Sequence, residues 1–357
     1  MSASAEMQSH GSAGRVPLSS ATGRGADIDR LLTVLESVAA PGPTIKFIDQ
    51  VVSEAPSDIE FRYFSWRIAL FGKYDVFHVH WPEFLIRGSR RWVSLARRTL
   101  FRALLLRLRV TGTRIVRTMH NLEPHTKGDA TEARLLDRLD SMTSAWVRIN
   151  VVTAFPPGGD HYTVLHGSYR HQFATLEKPP QINGRLLYIG RIEPYKGVED
   201  LARAFAADPE MAAHLRIVGK ASEGLRDSIG AVAAEDPRIE CDFEFVSDER
   251  LVAEICEAEL VVLPYREMHN SGIALVALSL NRPVLVPDSP SNEALAKEVG
   301  SGWVLRFTGE ISSDVIRGAL TAAREARTAV PALEKRDWAQ VAHGYAAAFR
   351  GELEGTE

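Results

Sequence analysis

The stretch Leu186-Leu187-Tyr188-Ile189-Gly190-Arg191-Ile192-Glu193-Pro194-Tyr195-Lys196-Gly197 decides the reading of this chain. An apolar run ends at Gly190-Arg191, a lysine follows five residues after the arginine, and a helical pattern begins at Val198. The order strand, turn, helix sets two cations beside a helix N-terminus, where backbone N–H groups and the helix dipole favour an anion. A diphosphate suits that place, with Arg191 and Lys196 as its cationic partners. The plain alternative is a pair of surface cations on an ordinary strand–helix turn.

Outward from this stretch, short apolar strands alternate with helical patterns in both directions, the signature of a parallel sheet covered on both faces. Upstream, strands are expected at Leu31–Val38, Glu60–Phe64, Asp75–His80, Arg114–Thr118, Val147–Val152 and Tyr162–Leu165, with helices at Thr44–Glu54 and Arg91–Arg109. Downstream, the strands expected are Arg185–Gly190, Leu215–Gly219, Arg238–Val246, Leu260–Pro264 and Pro283–Pro287. Helices between them are expected at Val198–Ala206, Ala221–Ala234, Asp248–Ala258 and Ser271–Leu280. The pattern predicts an α/β protein of two Rossmann-like domains, residues 27–172 and 185–333, joined by a linker at 173–184 that contains Pro179-Pro180. A closing helix near 334–352 carries Trp338, Tyr345 and Phe349. Residues 1–26, rich in Ser, Gly and Ala without an apolar core, read as a disordered tail and not as a signal peptide or membrane span.

The 357 residues, 45% hydrophobic and 25% charged, suffice for two buried cores. A net charge of −4 argues against a general nucleic-acid binder. Two cysteines, Cys241 and Cys256, make no disulfide framework, which suits a reducing cytoplasm. Charge is unevenly spread: from Phe84 to Leu122 there is no Asp or Glu, while arginines stand at 87, 90, 91, 97, 98, 102, 107, 109, 114 and 117.

Five segments carry a family resemblance: the opening stretch, Tyr74-Asp75-Val76-Phe77-His78-Val79-His80-Trp81-Pro82-Glu83, Arg117-Thr118-Met119-His120-Asn121-Leu122-Glu123-Pro124-His125, His166-Gly167-Ser168-Tyr169, and Leu263-Pro264-Tyr265-Arg266-Glu267-Met268-His269-Asn270-Ser271-Gly272. Together they resemble a bacterial branch of the GT-B glycosyltransferases that includes the xanthan-type GDP-mannose β-mannosyltransferases and actinobacterial exopolysaccharide enzymes. The resemblance covers nearly everything from residue 31 onward. It implies two Rossmann-like domains facing across a cleft, acceptor side first and nucleotide-sugar side second, with the C-terminal helix crossing back to the first. It also implies transfer from a nucleotide sugar, GDP-linked in preference to UDP-linked, to a lipid-linked or polysaccharide acceptor. Gly190, Arg191 and Lys196 take the place of the family's diphosphate-binding Gly-Arg…Lys. One departure stands out. Many retaining members carry two glutamates eight residues apart, the second holding the donor ribose; those positions are Met268 and Val276 here. Glu267, one residue away, is a displaced substitute or a surface glutamate. The departure favours inversion.

Ligands of open α/β sheets lie beyond the carboxyl ends of the strands, which singles out His80, Glu83, His120 and Glu123. Inverting transfer needs a base for the acceptor hydroxyl and positive charge for the departing diphosphate. Glu83 is the first choice of base and Glu123 the second, either of which could instead cap a helix or pair with an arginine. The resemblance gives His120 donor contact, with base as a second role. Asn270-Ser271-Gly272 precedes an apolar helix, so Ser271 can cap it while Gly272 lets a ligand reach the backbone. His78 reads as a hydrogen-bonded core histidine, and His78 with His80 lacks the further ligands of a zinc site. No metal or cofactor is expected, since Arg191 and Lys196 can neutralise the leaving group. Other readings are a nucleotide-sugar-binding subunit without activity, or a GT-B epimerase. The basic, apolar helix Arg91–Arg109 suggests peripheral docking on anionic lipid at the inner face of the membrane.

Overall fold

The computed structural model describes residues 31–40, 47–120, 128–266, 268, 271–325 and 329–352. The expected N-terminal tail, Glu123, Glu267 and Asn270 lie outside the described residues. The first half contains β1 (Leu32–Glu36), α1 (Phe47–Ser53), β2 (Ile59–Tyr63), α2 (Trp66–Phe71), β3 (Val76–Val79), α3 (Glu83–Ile86), α4 (Arg91–Thr111), β4 (Arg114–Met119), α5 (Ala130–Asp140), β5 (Ala145–Arg148) and β6 (Asp160–Thr163). The second contains β7 (Arg185–Ile189), α6 (Val198–Ala206), β8 (His214–Val218), α7 (Glu223–Glu235), β9 (Ile239–Asp242), α8 (Asp248–Glu257), β10 (Leu260–Val262), α9 (Gly272–Ser279), β11 (Val284–Pro287), α10 (Pro290–Val299), β12 (Val304–Phe307) and α11 (Ser313–Arg324). A final helix, α12 (Trp338–Arg350), closes the chain.

The strands form two six-stranded sheets, ordered β2-β1-β3-β4-β5-β6 and β12-β11-β10-β7-β8-β9, with every pairing parallel. All-parallel sheets need cover on both faces, because each strand buries both sets of side chains. The first sheet shows this by alternation. Val34, Val76 and Val116 face a core shared with Trp338, Val341, Tyr345 and Phe349 of α12. Leu35, Phe77 and Ile115 face the opposite core, with Phe101, Leu104 and Leu108 of α4. The expected return of the C-terminal helix onto the first domain is therefore present.

Several boundaries differ from the sequence expectation for local reasons. The strand expected to run to Val152 ends at Arg148, because the Asn150 side chain accepts from the backbone N–H of Val152 and Thr153 and turns the chain. The strand expected to reach Val246 ends at Asp242, whose carboxylate accepts from Glu244 N–H. The closing helix begins at Trp338, where Asp337 caps Ala339 N–H. Helices α2, α3, α5, α10 and α11 and strand β12 were not expected.

Candidate functional site

The second domain's candidate site, where the sequence reading placed the donor, lies at the carboxyl ends of β7, β8 and β10. Gly190 and Gly219 end β7 and β8 with φ of 127° and 140°, a region closed to ordinary side chains. A Cβ on Gly219 would collide with the Gly190 carbonyl, so glycine is what lets these two turns meet. Gly197, at φ 62°, caps α6, and a Cβ there would strike the Pro264 carbonyl. That close approach draws the 191–197 turn against the loop after β10, where Arg266 N–H donates to Tyr195 O at 2.9 Å. Arg191 stands at the rim with a side chain 78% exposed, paired to Glu193 at 2.7 Å. Lys196 is half-buried, 5.2 Å from the centre of the Tyr265 ring. Burial lowers its pKa, with Glu193 pulling upward and Arg191 downward. Ser271 caps α9 by accepting from Ala274 N–H at 3.3 Å, as the sequence suggested. The space beside Gly272 opens toward the Tyr169 hydroxyl, 3.8 Å from where a Cβ would stand.

No carboxylate replaces the missing ribose ligand among the described residues of α9. Val276 is buried in the core, and Met268 packs against Asn292, whose amide lies 3.5 Å from the sulfur.

In the first domain the strand ends gather side chains that sequence reading did not connect. Glu36 ends β1 and is fully buried. Its two oxygens lie 2.9 Å from His78 Nδ1 and 3.0 Å from His80 Nε2. Parallel register puts Glu36 opposite His78, and period two puts His78, His80 and Thr118 on the α12 face of the sheet. From His78 the chain continues through Nε2 to Thr118 Oγ1 at 2.8 Å and on to the Tyr345 hydroxyl of α12 at 3.1 Å. From His80 it continues through Nδ1 to His120 Nε2 at 2.8 Å. The expectation that His78 is a hydrogen-bonded core histidine agrees with this geometry.

Burial alone would raise the Glu36 carboxyl, but His78 and His80 outweigh it and hold the pKa at about 2. Burial, reinforced by His78, presses His80 down to about 4. Burial likewise holds His120 well below the usual imidazole value, with His80 and His166 adding to the effect. Glu36, His78 and His80 bring one donor atom each within 4.8 Å, so the fold supplies a third partner that the sequence reading lacked. Both carboxylate oxygens are already matched to imidazole nitrogens, which makes the trio a hydrogen-bonded chain.

Among the described contacts the chain reaches as far as the half-buried His120. Trp81 stacks on it, centroids 4.2 Å apart and planes 21° off parallel. Phe47 meets its edge at 5.6 Å, and His166 lies 4.8 Å from Phe47 and 5.8 Å from Tyr169. A run of rings thus leads from His120 to Tyr169 and the Gly272 backbone of the second domain.

Glu83, the first choice of base, is elsewhere. It opens α3, is only 8% exposed, and shares its surroundings with Arg87 and Arg117. Arg117 sits on the opposite face of β4 from Thr118, paired with Asp140, and burial lowers it to about 10 against the pull of Glu83. Arg87 is engaged by Glu132 at 2.6 Å. None of the described contacts joins Glu83 to the histidine chain.

The structure thus sets a glycine-shaped turn with two cations on one sheet and a buried polar cluster on the other, and comparison with known proteins gives this two-domain arrangement its class. The family model described as "Glycosyl transferases group 1" matches residues 183–320, the half that carries Arg191 and Lys196. Over 316 residues, 87% of this chain and 89% of the relative, the sequence is 43% identical to the GDP-mannose:glycolipid 4-beta-D-mannosyltransferase of Xanthomonas campestris pv. campestris. Among solved structures, sucrose-phosphate synthase from Thermosynechococcus elongatus superposes with a TM-score of 0.60 at 13% identity, covering 90% of this chain and 99% of that one. Anabaena HepE in complex with UDP gives 0.57 at 13% identity, covering 89% and 95%. These likenesses establish the GT-B fold. The chain belongs to the group 1 glycosyltransferases.

Proposed function

We propose that this glycosyltransferase moves mannose from GDP-mannose to a glycolipid acceptor with inversion at the anomeric carbon. The observation that carries the reading is the 43% identity, spread over 87% of the chain, to an enzyme named for that donor and acceptor. A β-mannoside made from an α-linked donor requires inversion, and the apolar Met268 and Val276, where retaining relatives carry glutamates, agree with it. Arg191 and Lys196 take the diphosphate, joined by the N-terminal backbone of α9 at Ser271 and Gly272. Their charge neutralises the leaving group, so the reading needs no metal. Thermal melting with GDP, UDP and dTDP tests the donor, since a nucleotide that binds only the folded state stabilises it. GDP should raise the melting temperature most; a rise with UDP or dTDP and none with GDP would overturn the assignment.

The acceptor reading extends to α4. Among the described residues no helix is long and apolar enough to cross a membrane. On α4, however, Trp92, Leu95, Leu106 and Val110 are each at least 64% exposed and share one side of the helix, opposite the buried Phe101, Leu104 and Leu108. Arg91, Arg102 and Arg109 run beside this strip, exposed and without an ion pair among the described residues. An apolar strip flanked by arginines suits an anionic bilayer surface, where each cation contributes about 1 kcal/mol. Arg97 and Arg98 belong to the fold instead: Arg97 donates to the Phe84 and Arg87 carbonyls and Arg98 pairs with Asp129 at 2.8 Å. Co-sedimentation with anionic vesicles should therefore fall in Arg91→Ser/Arg102→Ser/Arg109→Ser and in high salt. Equal binding to anionic and zwitterionic vesicles, or to neither, would leave α4 a solvated structural helix.

A further inference from the structure

We propose that His120 is the proton acceptor of the transfer step and that Glu36 and His80 are positioning residues that set its tautomer. The inference rests on the glycosyl-transfer reading and deepens it.

The argument is one of donors and acceptors. An ionised Glu36 can only accept, so His80 Nε2 carries the hydrogen of their 3.0 Å contact. A neutral His80 then presents Nδ1 as an acceptor, and the 2.8 Å contact to His120 must take its hydrogen from His120 Nε2. His120 is thereby held with Nδ1 unprotonated. The second branch is consistent without moving any charge. His78 Nδ1–H donates to Glu36, Thr118 O–H to His78 Nε2, and Tyr345 O–H to Thr118. Because Tyr345 belongs to α12, the crossing helix anchors the same carboxylate. Trp81 and Phe47 fix the plane of the His120 ring. Described charged or titratable groups near the chain include His166, whose Nδ1 donates to Gly167 O, and Arg336, which pairs with Glu298. Neither competes for His120 Nε2.

In the step itself, the acceptor hydroxyl oxygen forms its bond to the anomeric carbon while the bond from that carbon to the diphosphate oxygen breaks. The electron pair departs with the diphosphate, and the hydroxyl proton passes to His120 Nδ1. The resulting imidazolium is stabilised by the Glu36 carboxylate through His80, and it returns its proton to water after product release. Glu83, in its arginine surroundings, is then a structural carboxylate.

The test uses the full chain with GDP-mannose and a lipid-linked acceptor. His120→Ala should lower kcat roughly 10²-fold or more, leave GDP affinity by calorimetry within about two-fold, and regain turnover when imidazole is added. Glu36→Gln should lower kcat by about ten-fold at unchanged donor KM, while Glu36→Asp, which keeps the charge, should retain most of the rate. A His120→Ala enzyme with normal kcat, or one that loses GDP affinity and gains nothing from imidazole, would overturn the proposal, as would normal kcat in Glu36→Gln. Should Glu36→Gln fail to fold, imidazole rescue of His120→Ala decides alone, rescue supporting the proposal and its absence overturning it. If the wild type turns over no GDP-mannose yet does use another nucleotide sugar, the donor reading fails and the same variants test the histidine chain with that donor.

Discussion

The two halves of the cleft handle charge in opposite ways. In the half proposed to take the donor, Arg191 is mostly exposed and Lys196 half-buried, both on turns made possible by glycines at positive φ. In the half proposed to take the acceptor, Glu36, His78 and His80 are buried, and each is hydrogen-bonded to another of the three or to a neighbour. An exposed ion pair such as Arg191–Glu193 is worth little, so the arginine can turn to an incoming anion at small cost. A buried chain loses partners if any member moves, so it fixes orientation and proton position. The first arrangement suits a site that receives charge, the second a site that directs a proton.

The difference can be broken by acid. His80 and His166 have folded pKa values of about 4, depressed mainly by burial, so the unfolded chain takes up protons first as pH falls below about 6.5. Their neutral forms therefore favour the native state above that value, and the advantage is lost between about pH 6.5 and 4. Glu36, held at about 2 by its histidines, adds a loss in the same direction from about 4.5 downward. Unfolding free energy from urea titration should drop by about 2–3 kcal/mol between pH 7.5 and 5.5. Stability unchanged over that range would mean that the histidines are not held neutral by the fold.

The donor half should respond to charge removal in binding, not in folding. Lys196→Ala should weaken GDP binding by about 2 kcal/mol, and Arg191→Ala, whose side chain is more exposed, by about 1. Calorimetry at fixed salt checks both, with melting temperature as a control. Unchanged affinity in both variants would remove these residues from the diphosphate site. The smallest effect sharpens the acceptor half: Tyr345→Phe deletes the hydroxyl that ends the chain at Thr118 and should cost about 1 kcal/mol of stability. A loss confined to GDP affinity would show that α12 acts on the donor side instead.

Why one half could be read from sequence and the other could not follows from how each is built. Gly190, Arg191, Lys196 and Gly197 lie in one continuous turn, so their grouping was legible in the local sequence. Ser271 announced itself as a cap by preceding an apolar run. Glu36, His80, Thr118, His120 and Tyr345 come from three strands, β1, β3 and β4, or the residue just past them, and from the final helix, and only strand register and the return of α12 bring them together. A signal was present: an acid closing the apolar β1, with His78 and Thr118 interrupting the same face of neighbouring strands. Its meaning needed the strand order. The surroundings of Glu83 were hidden for a related reason, since position after a strand does not say which face the side chain joins. The missed helices α2, α3 and α5 are short or charged segments whose apolar spacing is weak outside the packed fold.

The most direct test is transfer from GDP-mannose to a lipid-linked acceptor, with the new glycosidic bond assigned by NMR. The account predicts a β-mannosyl product whose formation needs Lys196 and His120. An α-linked product, or GDP binding with neither transfer nor donor hydrolysis, would contradict it.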